Sequence, residues 1–174
     1  MDEATLKNVL EALLFAANEP LTTRRIRDIV GEVDGHAVRR AAEELQREYA
    51  EARRGIQIEE LAGGFRLLSN RDYAPYVEQL HKRETHARLS QAALETLAIV
   101  AYKQPIHRAD IEAIRGVQVD AILRSLQDRG LIRVVGRADV LGRPFLYGTT
   151  RRFLEAFGLK SLDGLPDVEE LHIP

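Results

Sequence analysis

A chain of 174 residues has room for one medium domain or two small ones. Its 45% hydrophobic and 30% charged residues describe a globular protein, and a formal net charge of −2 lacks the basic excess of a protein bound mainly through phosphates. The absence of cysteine excludes disulfides, thiolate metal sites and cysteine nucleophiles, and no run of about 18 apolar residues is present to span a membrane.

The opening "MDEATLKNVLEALLF" is acidic where a signal peptide would be basic, so the expectation is a cytoplasmic protein with no membrane partner. Leu6, Val9, Leu10, Leu13 and Leu14 form one helical stripe, with Phe15 on roughly the opposite side. Two readings of that side are open: a core enclosing the helix twice, or a self-association face. Leu6, Leu10 and Phe15 are therefore the candidate dimer-interface residues.

The segment "LLFAANEPLTTRRIRDIVG" (13–31) overlies "AIVAYKQPIHRADIEAIRG" (98–116) without a gap, at a constant offset of 85. Pro20 meets Pro105, Leu21 meets Ile106, Ile26 meets Ile111, Ile29 meets Ile114 and Gly31 meets Gly116. Proline stops the preceding helix, the next apolar residue staples the turn, and glycine suits the position after a helix end. A third helix follows each unit: Asp34 as N-cap before Val38, Ala41, Ala42, Leu45 and Tyr49, then Val119, Ile122, Leu123 and Leu126 up to Gly130.

"GIQIEELAGGFRLLS" (55–69) alternates around Ile56 and Ile58, turns at Gly63-Gly64 and resumes at Phe65 and Leu67, the pattern of a hairpin. "LIRVVGRADVLGRPFLYG" (131–148) repeats it around a longer loop, Pro144 near the returning strand and Phe145 matching Phe65 at an offset of 80. Closing helices are expected in "YAPYVEQLHKR" (73–83) and "RRFLEAFG" (151–158). The result is a mainly α chain with small β hairpins, α+β in class: two tandem winged-helix domains. The first covers 1–84 and the second 89–160, with an acidic, partly ordered tail over 161–174. The polar "HKRETHAR" (81–88) marks the boundary, after which Ser90 caps the next helix between Leu89 and Leu94.

Chemistry-bearing patterns are sparse. The five histidines, 36, 81, 86, 107 and 172, lack the spacing of a metal-binding helix, and no phosphate-cradling glycine loop or nucleophile elbow occurs. No catalytic residue, cofactor or metal is expected. A winged helix normally reads DNA with its third helix, but the outward residues of "VQVDAILRSLQDRG" include Asp120 and Asp128, and in the first unit Arg39 and Arg40 run straight into Glu43 and Glu44. Direct DNA binding is expected to be weak or absent. Arg133, Arg137, Arg143, Arg151 and Arg152 leave two readings, a basic edge facing a backbone or arginines paired with acids such as Asp139. "LETLAIVAY" (94–102) is apolar nearly all round, so that helix is central to its domain or covered by a partner.

The stretches "LSQAALETLAIVAYKQPIHRADIEAIRGVQVDAILRSLQDRGLI" (89–132), "GRPFLYGTT" (142–150), "FGLKSLDGLP" (157–166) and "LKNVLEALLFAANEPLT" (6–22) closely resemble the segregation and condensation protein B family. That family supplies an accessory subunit of the bacterial structural-maintenance-of-chromosomes (SMC) complex. One departure is "TTRRFLEAFG" (149–158), where the family more often has acidic residues after the paired threonines. The resemblance implies a nucleoid-associated homodimer formed mainly through the N-terminal domain and a kleisin partner, segregation and condensation protein A. Through the kleisin the SMC ATPase would be reached, in support of chromosome condensation and segregation during cell division. Candidate kleisin contacts are Tyr102, Gln104 and Pro105 at the turn and Arg124 and Gln127 on the third helix; that Tyr102 and Pro105 only end and pack the helix is the competing reading. The other function class, a tandem winged-helix transcription regulator, calls for sequence-dependent affinity for duplex DNA.

Overall fold

The structure is a computed structural model that describes residues 1–81 and 89–167. The chain divides into two compact units, Met1–Thr85 with Gly158–Pro174, and His86–Phe157. Most of the expected boundary stretch, residues 82–88, lies outside the described residues, as do residues 168–174 of the expected tail.

The first unit holds α1 (Glu3–Ala16), α2 (Thr23–Val30), α3 (Gly35–Glu51), the hairpin β1 (Ile56–Leu61) and β2 (Gly64–Ser69), and α4 (Ala74–His81). The side chains of Asp2 and Thr22 accept hydrogen bonds from the Thr5 and Arg25 amides, satisfying N–H groups that a helix start leaves without partners. Asp34 occupies the N-cap position of α3 but its side chain makes no capping bond. Leu6, Leu10 and Leu14 bury one stripe of α1 against Ile26, Val38, Leu45, Ile58 and Phe65. The hairpin closes with Leu61 opposite Gly64, so the turn residues are Ala62 and Gly63 in place of the expected glycine pair. Both have positive φ, 49° and 72°, which matches the twist of the flanking strands. Leu21, just after Pro20, pairs with Phe65 as an isolated bridge along the outer edge of β2.

The second unit repeats this order with α5 (Gln91–Lys103), β3 (Ile106–His107), α6 (Arg108–Arg115), α7 (Asp120–Asp128), β4 (Ile132–Arg137), β5 (Phe145–Thr149) and α8 (Arg151–Phe157). Ser90 caps α5 through the Ala93 amide. Leu97, Val100, Ile111, Val119, Leu123, Leu126 and Ile132 are buried. The strands run in the order β3-β5-β4, with Ile106 opposite Tyr147.

The repeat is therefore structural as well as sequential. Leu21 and Ile106 each add an extended residue to the second hairpin strand, Ile26 and Ile111 are fully buried, and Gly31 and Gly116 follow their helices with positive φ. Two expected equivalences change. Ile29 and Ile114 are exposed and belong to no core. The residue equivalent to Phe65 is Tyr147, the partner of Ile106, whereas Phe145 lies at the loop end of its strand. An extra residue in β4, between Val134 and Gly136, shifts the register there.

Residues 158–167 group with the first unit, although a domain boundary was expected after 160. The Leu159 carbonyl accepts the Ala62 amide at 2.8 Å, and Lys160 Nζ stands 3.2 Å from Glu60 Oε2. Arg39 holds the other Glu60 oxygen at 3.2 Å. Burial alone would raise the Glu60 pKa, but the hydrogen bonds from Lys160 and Arg39 outweigh it and lower the value. A depressed carboxylate stabilises the fold at pH above its ordinary value, and that contribution is lost as pH falls through the folded value. Protection of the Ala62 amide from hydrogen exchange should therefore drop as pH is lowered from about 5 to 3, where a carboxylate protonates. Lys160→Ala should lower that protection already at neutral pH; identical protection in both proteins at every pH would refute the link.

Candidate functional site

Each unit carries a cleft among the described residues. The cleft in the first unit, of about 480 Å³, is lined by α1 and α3 with Lys7, Asn8, Glu11, Leu45, Glu48 and Tyr49. Most of its charges have partners: Lys7 is bound by Glu48 and, at 3.5 Å, by Glu44. The Tyr49 hydroxyl donates to Glu11. Burial, reinforced by that carboxylate, pushes the Tyr49 phenol up to about 12, so it stays neutral across the physiological range. Lys7, Glu48, Glu11 and Tyr49 are thus bound to other side chains, while the exposed Arg54 at the rim has no hydrogen bond or ion pair from its guanidinium among the described residues.

The cleft in the second unit, of about 370 Å³, opens between α7 and the hairpin. Helix periodicity sets Asp120, Leu123, Arg124 and Gln127 along one side of α7, and strand alternation sets Phe145 and Tyr147 on the same face of β5. Pro144 and Arg108, at the start of α6, complete the lining. Asp120 is bound by Arg108, whose pKa is raised by that hydrogen bond and charge. Glu112 is 3.9 Å from the same guanidinium. Arg137 lies over the Phe145 ring at 4.2 Å and donates to the Arg143 carbonyl. Arg124 is exposed and has no hydrogen bond or ion pair among the described residues. An aromatic and aliphatic floor, one unpaired guanidinium and the Gln127 amide suit a peptide that carries an apolar anchor beside an acidic residue.

The expected partner residues thus separate. Arg124 and Gln127 share this cleft, whereas Tyr102, Gln104 and Pro105 do not line it. Tyr102 is half-buried with interactions of its own, and Pro105 is exposed. Gln104 is used internally: its side-chain oxygen accepts the Thr149 amide at 2.8 Å and the Thr149 hydroxyl at 3.1 Å, while its nitrogen donates to the Ala101 carbonyl. It ties the end of α5 to β5, so its amide is committed to the fold. Gly148 permits this, since a Cβ there would stand 3.0 Å from the Gln104 oxygen and 2.9 Å from Val135.

The candidate dimer residues separate as well. Leu6 and Leu10 are 4% and 0% exposed, because the stripe they form supplies the core of their own unit. No second copy reaches them without unfolding it. Phe15 is 80% exposed.

The five hairpin arginines do not make one basic edge. Arg133 opposes Gly148 and Arg137 opposes Phe145, so they lie on opposite faces of the hairpin. Arg151 pairs with Glu155 at 3.4 Å, and among the described residues no ion pair joins Asp139 to an arginine. No three His, Asp or Glu side chains converge to hold a metal ion among the described residues. His107 caps α6 through the Asp110 amide, and His86, His172 and the His81 side chain lie outside the described residues. No described helix is long and apolar enough to cross a membrane.

Comparison with known proteins places this geometry. A profile of the family "Segregation and condensation complex subunit ScpB" matches residues 8–168. The chain is 46% identical over 170 residues to segregation and condensation protein B of Syntrophotalea carbinolica, covering 98% of this chain and 85% of that protein. To the protein of that name from Geobacillus kaustophilus it is 50% identical over 167 residues, covering 94% and 76%. The crystal structure of ScpB from Mycobacterium tuberculosis is 39% identical, covers 91% of this chain and 98% of that one, and superposes with a TM-score of 0.45. On a profile that spans most of its length, and on relatives about half identical across nearly all of it, the chain belongs to the segregation and condensation complex subunit ScpB family.

Proposed function

We propose that the chain is a non-enzymatic scaffold subunit of the SMC–kleisin complex, supporting chromosome condensation and segregation in the cytoplasm at the nucleoid. Its N-terminal unit forms the homodimer, and its C-terminal unit grips the kleisin, segregation and condensation protein A, through which the SMC ATPase is reached. Family membership supports the setting. The observation that carries the binding role is the cleft beside α7, with an apolar floor and the unpaired Arg124.

Only Arg124 and Gln127 of the five expected contacts keep a direct role in this reading. Gln104, Tyr102 and Pro105 act by fixing the turn that carries the helix pair. Arg124→Glu and Phe145→Ala should each weaken kleisin binding about tenfold or more, the size expected for anchors at the centre of an interface. Titration calorimetry with the purified kleisin measures this, and full affinity in both variants would exclude the cleft. Duplex DNA titrated at physiological salt separates the transcription-regulator reading, which demands a sequence-dependent signal.

A further inference from the structure

The second hairpin ends in a tip that the first lacks. Between β1 and β2 the turn is Ala62 and Gly63 alone, whereas residues 138–144 separate β4 from β5. Val140 is 56% exposed there, and Leu141 stands wholly in water. The loop is built to hold them so. The Ala138 amide donates to the Pro144 carbonyl and the Arg143 amide to the Val140 carbonyl, both at 2.9 Å, and the Arg137 guanidinium donates to the Arg143 carbonyl at 3.1 Å. Gly142 and Arg143 close the loop with φ of 83° and 40°, the latter a costly value for a residue with a Cβ. Backbone strain that keeps a leucine in water stabilises nothing within the free chain. Such a side chain is presented to a partner.

The first unit shows how a hairpin of this fold is covered. An extended piece of chain crosses its tip: the Leu159 carbonyl accepts the Ala62 amide, and Lys160 pairs with Glu60. Ala62 is 8% exposed beneath it. Among the described residues no segment bonds across the second tip in this way. The charges of the two hairpins are also opposite. Glu59 and Glu60 on β1 are replaced by Arg133 and Arg137 on β4, and the exposed Arg143 has no hydrogen bond or ion pair from its guanidinium among the described residues. A basic segment covers the acidic first hairpin, so the second calls for an acidic one with apolar contact for Leu141.

The tip is also continuous with the cleft beside α7. Pro144 and Phe145, the residues that follow it, line that cleft, where Arg124 is another unpaired cation. An extended chain spans at most about 3.6 Å per residue, so a segment seated in the cleft reaches the tip within a few residues.

We infer that the tip of the second hairpin, Leu141 with Val140 and Arg143, anchors an extended acidic segment of the kleisin where that segment leaves the cleft. This contact rests on the reading that the second unit grips the kleisin, and it lies outside the residues given to that grip above.

The test uses the full chain and the purified kleisin. Leu141→Asp should weaken binding about tenfold or more, the loss expected when a leucine is no longer buried, with an unchanged melting point because the side chain touches nothing in the free protein. Leu141→Met, which keeps the apolar volume, should bind as the unaltered chain does. Since the chain has no cysteine, Leu141→Cys accepts a single polarity-sensitive dye, whose emission should shift to the blue when the kleisin is added. Full affinity in Leu141→Asp with loss in Arg124→Glu overturns the tip contact and leaves the cleft standing. Full affinity in both overturns the kleisin reading together with it. A blue shift produced by duplex DNA or by added unlabelled chain, and not by the kleisin, gives the tip to another occupant and sinks the assignment.

Discussion

Leu10→Ala should destabilise the first unit by about 3 to 4 kcal/mol, the range for a leucine removed from a site that cannot collapse. Leu10 is fully buried between Leu6 and Leu14 on α1 and packs in a core with Ile26, Val38, Leu45 and Phe65. Neighbours from five elements meet there, so no single shift of a helix refills the space. For a unit of this size the loss corresponds to a melting point lower by about 15 °C. Phe15→Ala, on the same helix but exposed, should change stability by no more than about 0.5 kcal/mol. Thermal denaturation of both variants, followed at several protein concentrations, separates core from interface. A core residue lowers the melting point equally at every concentration, whereas an interface residue does so only where the dimer would form. A concentration-dependent loss for Leu10→Ala would reinstate the α1 face as the dimer contact.

Gly64→Ala should cost about 3 kcal/mol, the upper part of the range for forcing extra volume into a closed site. A Cβ at this position would stand 2.7 Å from the Leu21 carbonyl carbon and oxygen and 2.9 Å from the Thr22 nitrogen. These are backbone atoms, and the chain there is held by paired hydrogen bonds between Leu21 and Phe65 of 2.8 and 2.9 Å. The added methyl group must push the segment after Pro20 off the hairpin edge, loosening the link between α1 and α2. Gly63→Ala, one residue earlier, is the control: its φ of 72° is strained for alanine, but nothing lies within 4 Å of the new Cβ. It should cost about 1 kcal/mol. Thermal or urea denaturation measures both, and equal effects would mean that turn conformation, not close approach of the Leu21 backbone, sets the need for glycine at 64.

The asymmetry between these neighbouring glycines shows what a sequence carries and what it does not. "AGG" announces a turn, because glycine is the residue for positive φ, but it does not tell which glycine serves the turn and which yields space to another segment. Half of the candidate cleft was legible in the same sense. Arg124 and Gln127 stand out by their spacing on the third helix of an evident repeat. Phe145 and Tyr147 did not, because alternation puts them on one face of β5 without telling which face of the hairpin turns toward that helix. The extra residue in β4 sends Arg133 and Arg137 to opposite faces, dissolving a basic edge that looked continuous along the chain.

By itself the sequence determined the local terms: helix starts at Asp34 and Ser90, stops at Pro20 and Pro105, glycines after the second helix of each unit, and hence a duplicated order of three helices and a hairpin. These are interactions between residues a few positions apart, which periodicity and capping chemistry report directly. Only the tertiary structure decided which apolar side chains are shared inside a unit and which stay exposed. The stripes of α1 and α4 look alike as patterns. Yet Leu6 and Leu10 are enclosed by α2, α3 and the hairpin, while Tyr76 and Leu80 meet no such cover. Gln104 and Glu60 were settled in the same way, by Thr149 and Lys160, residues 45 and 100 positions away in the chain. Contacts over such separations depend on how elements stack, and stacking energy belongs to surfaces brought together from many segments, which no local window of sequence contains.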